Sequence, residues 1–126
     1  MFEHLFVFMK VLVLGASLNP GRYSYIAVND LQRYGHSVTA VGRSGGSIGE
    51  VDLLKTPDAG VVYDTITVYL NPVNQSDYMS YLLEHPARRI IFNPGAENFE
   101  LEKQLKELGW EVLSACTLVM LRTDQF

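Results

Sequence analysis

The stretch Val11–Ser24, VLVLGASLNPGRYS, decides how the rest of the chain is read. Its first four residues are an apolar run that stops at Gly15. Ser17, Pro20 and Gly21 make a short turn, and Arg22 and Ser24 open a segment with helical spacing. A strand, a tight loop and a helix start in that order form the first crossover of an α/β sheet. A loop so placed directs backbone N–H groups and the positive end of a helix dipole outward, which favours phosphate. The same residues also serve as a plain strand-to-helix turn, so the other loops have to carry part of the assignment.

The chain has 126 residues, enough for one compact domain. Hydrophobic residues make up 48%, so a core can be buried and disorder is excluded. A net charge of −4 excludes nucleic-acid binding by bulk phosphate attraction, yet a few local cations can still meet one small ligand. Cys116 stands alone, and His4, His36 and His85 are scattered, which leaves neither a disulfide nor metal-ligand spacing. The apolar run Leu5–Phe8 is too short to span a bilayer, and Glu3 stands where a signal peptide needs basic residues. No membrane partner is expected, and the expected compartment is cytoplasmic. Residues 1–9 read as an N-terminal extension, with Met9 an alternative start, and 10–126 as one domain.

Lys10–Leu14 reads as the first strand, as continuous in its apolar run as a strand covered on both faces. A helix follows from Tyr23 to Tyr34, with Ile26, Ala27 and Leu31 on its apolar side and Gly35 as its stop. Ser37–Val41 is a second strand, after which Gly42–Ser47 shows no regular pattern. Thr56-Pro57-Asp58 predicts one helical turn. Thr65–Leu70 is the third strand, stopped by Asn71-Pro72, and Ser76–Glu84 a helix with Met79, Leu82 and Leu83 inward. Arg89–Phe92 is the fourth strand, ended by Asn93-Pro94-Gly95. Asn98 caps the next helix, which buries Leu101, Leu105 and Leu108 and ends at Gly109. Trp110–Leu113 gives a fifth strand and Cys116–Leu121 a closing helical segment.

This alternation predicts a three-layer α/β Rossmann-like domain with a five-stranded parallel sheet in the order 3-2-1-4-5. Ligands of such sheets lie beyond the carboxyl ends of the strands, where the order reverses. The loops there are Gly15-Ala16-Ser17, Gly42-Arg43-Ser44, Leu70-Asn71-Pro72 and Asn93-Pro94-Gly95, all rich in glycine, proline or small polar residues. The opposite turns, Tyr34-Gly35-His36 and Leu108-Gly109-Trp110, are helix stops. Asp64 and Glu97 are the acids placed near the ligand rim, with Glu97 preparing the helix at Asn98. Arg88 and Arg89 read as a surface pair on the other rim.

A nicotinamide cofactor is the first candidate for such a rim. However, the first loop lacks the G-x-G-x-x-G spacing. The second strand ends in Val41-Gly42-Arg43-Ser44, where an acid would hold the ribose hydroxyls of NAD. Arg43 suits a ribose that carries an extra phosphate. NADP and coenzyme A (CoA) both have one, and these residues do not separate them.

The blocks GASLNPGRYS, VGRSGGSIGEV, VYLNP, IIFNPGAENFEL and ACTLVML, in this order and spacing, resemble the small stand-alone CoA-binding domain proteins. That family is similar to the N-terminal nucleotide-binding domain of the succinyl-CoA synthetase alpha subunit. The resemblance runs from Lys10 to the end and is most specific in Phe92–Asn98 and the cysteine-led ending. It implies a site for CoA or an acyl-CoA, with NADP as the alternative cofactor. Gly15, Ala16, Ser17, Arg22 and Ser24 would surround the phosphates. Arg43, near the position of a CoA-contacting lysine in the synthetase, would take phosphate charge. Leu70, Asn71 and Pro72 would line the adenosine or pantetheine path, with Asn93, Pro94 and Gly95 beside it. Many relatives carry Asn-Pro after the second strand and Gln before the later Pro-Gly, where this chain has Gly42-Arg43 and Asn93. The synthetase's phosphohistidine lies in a second domain with no counterpart here.

The expected function is a CoA-binding module that senses, buffers or presents its cofactor without catalysis of its own. No nucleophile–base pair or metal set has recognisable spacing. The alternatives are a small NADP-dependent oxidoreductase or its nucleotide-binding subunit, and a structural interaction module with a vestigial groove. No protein partner is indicated. Cys116 reads as a small buried thiol, and the sharper alternative is a thiol that faces the cofactor. Tyr23, Tyr25, Tyr63 and Tyr69 read as core or rim packing.

Overall fold

A computed structural model describes residues 8–126, so most of the expected N-terminal extension lies outside the described residues. Strand β1 (Lys10–Leu14) leads into α1 (Tyr23–Arg33) and back to β2 (Ser37–Val41). A hairpin of β3 (Ser47–Ile48) and β4 (Val51–Leu54) follows, then β5 (Thr65–Val68). Next come α2 (Pro72–Gln75), a 3-10 turn over Ser76–Tyr78 and α3 (Met79–Glu84). The chain closes with β6 (Arg89–Phe92), α4 (Phe99–Glu107), β7 (Glu111–Ser114) and α5 (Thr117–Arg122).

The sheet is Rossmann-like and mostly parallel, but it has seven strands in the order β3-β4-β2-β1-β5-β6-β7, not five. Val51–Leu54 takes the place beyond β2 that the expected order gave to the Thr65 strand. It pairs in parallel there, Ala40 opposite Leu53 and Val41 opposite Leu54. The Thr65 strand lies instead on the other side of β1, Val11 opposite Thr65 and Leu14 opposite Val68. The six parallel strands therefore run 3-2-1-4-5-6 by rank, with β3 as an antiparallel edge. The order still reverses at β1, as in the expected sheet.

Strand alternation divides the core. Leu12 and Leu14 point to one face with Ile66, Val68, Ile90 and Phe92, and pack on Leu82, Leu101 and Leu105 of α3 and α4. Val11, Val13 and Ala40 point to the other face, against Val28 and Leu31 of α1 and Leu121 of α5. Arg122 of α5 meets Asp30 of α1 at 3.5 Å. Among the described residues, no helix is long and apolar enough to cross a membrane.

Several local expectations are corrected. Thr56-Pro57-Asp58 forms no helix, because Asp58 Oδ1 instead accepts the Gly60 N–H in a side-chain-closed turn. The helix expected from Ser76 begins at Pro72, since the Asn71 side chain accepts the Asn74 N–H as an N-cap and proline suits the first position. Leu83 and Leu108 are substantially exposed; the buried stripe of α4 is Leu101 and Leu105. Arg89 is not a surface residue. Its guanidinium is buried, donates to Thr65 Oγ1 at 3.0 Å and lies 4.5 Å from the centre of the Phe126 ring. Asp64 precedes β5 and so lies on the amino-terminal rim, opposite the expected ligand side. There it pairs with Arg88 at 2.8 Å, which holds its carboxyl below the ordinary carboxylate range.

On that same rim His36 is tuned toward the neutral form. Burial lowers its pKa from 6.5, and the Arg89 charge adds to the shift against an opposing pull from Asp64. Its Nδ1 accepts the Met9 N–H at 3.1 Å, which a protonated ring cannot do. The contribution is therefore full above the unfolded pKa and falls as pH drops below it through the lowered folded value. Thermal unfolding scanned from about pH 7 to about pH 5 should show a smaller fall in Tm for His36→Asn than for the wild type. Equal slopes would contradict this role.

Candidate cofactor cleft

The end of β1 and the end of β2 approach so closely that only glycine fits between them. Gly15 turns with φ +94°, and a Cβ there would press on Leu70 at 2.9–3.1 Å. A Cβ on Gly42 would run into the Ala16 carbonyl oxygen. The Val41 carbonyl accepts both the Gly15 N–H (2.9 Å) and the Ala16 N–H (2.8 Å). These two loop donors, expected to face a ligand, are thus used inside the fold.

Beside this junction lies a cleft of about 280 Å³. One wall is Gly15, Ala16 and Ser17; a second is Val41, Gly42, Arg43 and Ser44; the third is Leu70, Asn74, Asp77 and Tyr78. Ser17 Oγ accepts the Asn19 N–H at 3.1 Å, leaving its own proton to donate. Arg43 Nη2 donates to Asn74 Oδ1 across the cleft at 3.0 Å. The start of α1 has no side-chain cap and no acid in its first turn, which leaves its dipole unopposed there. Such a rim suits an anion held by one guanidinium and a hydroxyl.

The third wall is set by a residue that the sequence did not single out. Gln75 is almost wholly buried, and its Nε2 donates to the Leu70 carbonyl (2.8 Å) and the Ala96 carbonyl (2.6 Å). Its Oε1 accepts from Asn98 Nδ2 at 2.9 Å. One amide thus ties the loop after β5 to the loop after β6. A buried glutamine is legible in sequence only as a polar residue inside an apolar turn, with no hint of its partners.

The structure brings five of the twelve candidate positions into this lining: Gly15, Ala16, Ser17, Arg43 and Leu70. Asn74, Asp77 and Tyr78 join them without having been anticipated. The other seven lie outside it. Arg22 is the N-cap residue of α1 and Ser24 is buried within that helix. Asn71 and Pro72 start α2. Asn93 is buried, with Nδ2 donating to Thr67 Oγ1 (2.7 Å) and the Val68 carbonyl (2.9 Å), and Oδ1 accepting the Thr117 N–H (2.8 Å). Asn93 therefore joins β5, β6 and α5 from within, while Pro94 and Gly95 stand exposed beyond it. Glu97 Oε1 accepts the Gly95 N–H at 2.7 Å, and Glu102 accepts the Asn98 N–H at 2.9 Å, completing the start of α4.

Near this network, burial pushes the Tyr69 hydroxyl well above its ordinary pKa, against the pull of the Thr117 and Thr67 hydroxyls. It stays protonated and adds no negative charge to the rim. Cys116 is half-exposed at the N-cap of α5, not a buried thiol. Among the described residues, no group of three or more His, Cys, Asp or Glu could hold a metal ion.

Fold and cleft together define a doubly wound α/β domain with an anion-suited crevice at its switch point. The chain belongs to the CoA-binding domain family, whose model matches residues 9–122 and which is found in succinyl-CoA synthetase alpha-like proteins. Among solved structures, an uncharacterized protein is 40% identical with a TM-score of 0.90, over 95% of this chain and 99% of its own. A conserved hypothetical protein from Pyrococcus furiosus is 25% identical with a TM-score of 0.74, over 89% and 98% of the two chains. A protein from Thermus thermophilus shares the fold at 24% identity and a TM-score of 0.81, over 93% and 90%. No curated protein matches the chain.

The glycine junction makes a direct prediction. Gly42→Ala should destabilise the protein by about 1–3 kcal/mol, because a methyl group is forced against backbone. Gly21→Ala is the control, since its Cβ would meet only Asn19 Oδ1 at 3.4 Å. Urea denaturation with equal midpoints for both variants would contradict the close approach.

Proposed function

We propose that the protein binds CoA or an acyl-CoA at the carboxyl rim of its sheet and acts as a binding or sensing module without catalysis of its own. The observation that carries this reading is Arg43, the cation of the cleft lining, placed directly after β2 at the switch point. A nucleotide that bears a phosphate on its ribose places charge within reach of such a residue. Gly15 and Gly42 let the first loop, Leu70 and the end of β2 pack closely enough to wall this cleft. A cleft of about 280 Å³ takes one end of CoA and leaves the remainder along the rim.

When bound, CoA supplies a thiol that carries acyl groups as thioesters. The chain's own part is to hold and orient the phosphate-bearing end: Arg43 takes charge, Ser17 donates a hydrogen bond, and Leu70 packs against the ligand. Arg43 also suits the ribose phosphate of NADP, so the test must separate the two cofactors.

Calorimetry with CoA, acetyl-CoA, dephospho-CoA, NADP and NAD does so. CoA and acetyl-CoA should bind alike and tighter than dephospho-CoA or NADP, with NAD weakest. Arg43→Ala should cost CoA about tenfold in affinity, the loss of one charge-assisted contact. Tight NADP binding without a CoA response would favour the oxidoreductase reading. Silence toward all five would leave only a structural module.

A further inference from the structure

Arg43 and Asn74 stand on opposite walls of the cleft. Arg43 follows β2 and Asn74 lies in α2 after β5, while β1 runs between those two strands. Their hydrogen bond of 3.0 Å therefore bridges the carboxyl end of β1, across two strand spacings or about 10 Å. Both ends of the bond line the same cleft as Ser17.

The two ends of this bridge are held unequally. Asn74 is fixed, because its N–H is bound by the Asn71 cap at 3.0 Å and the next residue is the buried Gln75 amide. Arg43 sits in the Gly42–Gly46 loop, where three of five residues are glycine, and its side chain is exposed. Breaking the bond therefore moves Arg43 and leaves the third wall in place. The acceptor is a neutral amide, although the Asp77 carboxylate lines the same wall. The guanidinium donor already makes the Arg43–Asn74 bond charge-assisted, but a phosphate adds an ionised acceptor and a bidentate geometry that the amide oxygen lacks. A phosphate can take Arg43 from Asn74, whereas a neutral group has nothing stronger to offer.

We infer that Asn74 is a latch: it holds Arg43 across the crevice in the free protein and admits ligands whose phosphate outcompetes its amide oxygen. Asn74 is thus a positioning and selecting residue for the same cleft, and its selecting role rests on the CoA reading. The latch itself does not.

Two measurements separate these parts. Nitrogen-15 NMR of the Arg43 guanidinium in ligand-free protein should show protected Nη protons in the wild type and faster exchange in Asn74→Ala. Stopped-flow mixing with CoA should show association about three- to ten-fold faster for Asn74→Ala, the worth of one solvent-exposed hydrogen bond. Asn74→Asp should associate more slowly than the wild type, with the gap closing as salt rises. Dephospho-CoA, with no ribose phosphate to draw Arg43 off Asn74, should gain at least as much from Asn74→Ala, so that the variant discriminates less between the two ligands. Unchanged guanidinium exchange, or equal CoA association rates in wild type and Asn74→Ala, would overturn the latch alone. A wild type blind to CoA would overturn the cofactor reading and the selecting role with it, while guanidinium exchange still decides the latch.

Discussion

The backbone contact between the end of β1 and the end of β2 is the constraint on which the remaining architecture depends. The Val41 carbonyl receives two N–H groups from the first loop, and Gly42 lies where any side chain would strike the Ala16 carbonyl. This fastens the first loop down onto the sheet. It opens the crevice on the β5 side, where Leu70 packs against Gly15 and Gln75 holds the far wall. The cleft follows from how tightly two loops are drawn together. Chemistry is then left to the few side chains that rim it.

The two rims of the sheet divide their charges accordingly. Asp64, Arg88, Arg89, His36 and Glu111 gather at the amino-terminal rim, where they satisfy one another or pack on Phe126. The cleft on the carboxyl rim has one guanidinium in its lining, Arg43, hydrogen-bonded to a neutral amide, while the buried polar groups of that rim are satisfied through Asn93, Thr67 and Thr117. A rim with its charges mutually paired is a structural fastening. A rim with a weakly engaged cation is suited to a ligand.

Much of this was legible in sequence. The strands Lys10–Leu14, Ser37–Val41 and Arg89–Phe92, the Asn98 cap and the closing helix follow from apolar runs and cap chemistry that depend on neighbours in sequence. The hairpin over Ser47–Leu54 was not legible, because β3 spans two residues and its pairing with β4 shows no period of its own. Missing it displaced the Thr65 strand and gave the wrong sheet order. At the site, glycines and Arg43 announced themselves by type and position. Asn93 misled, since an asparagine in a loop with Pro-Gly reads alike whether it meets a ligand or, as here, joins two strands to a helix from inside. Gln75, Asn74 and Asp77 were missed for the complementary reason: their roles exist only once α2 is folded back along the crevice.

The most direct test of the account is a backbone amide NMR titration of the protein with CoA. Shifts concentrated at Ala16, Ser17, Gly42, Arg43 and Leu70, with Asp64, Arg88 and Glu111 unmoved, are the predicted result. Shifts centred on the amino-terminal rim, or none that saturate, would contradict it.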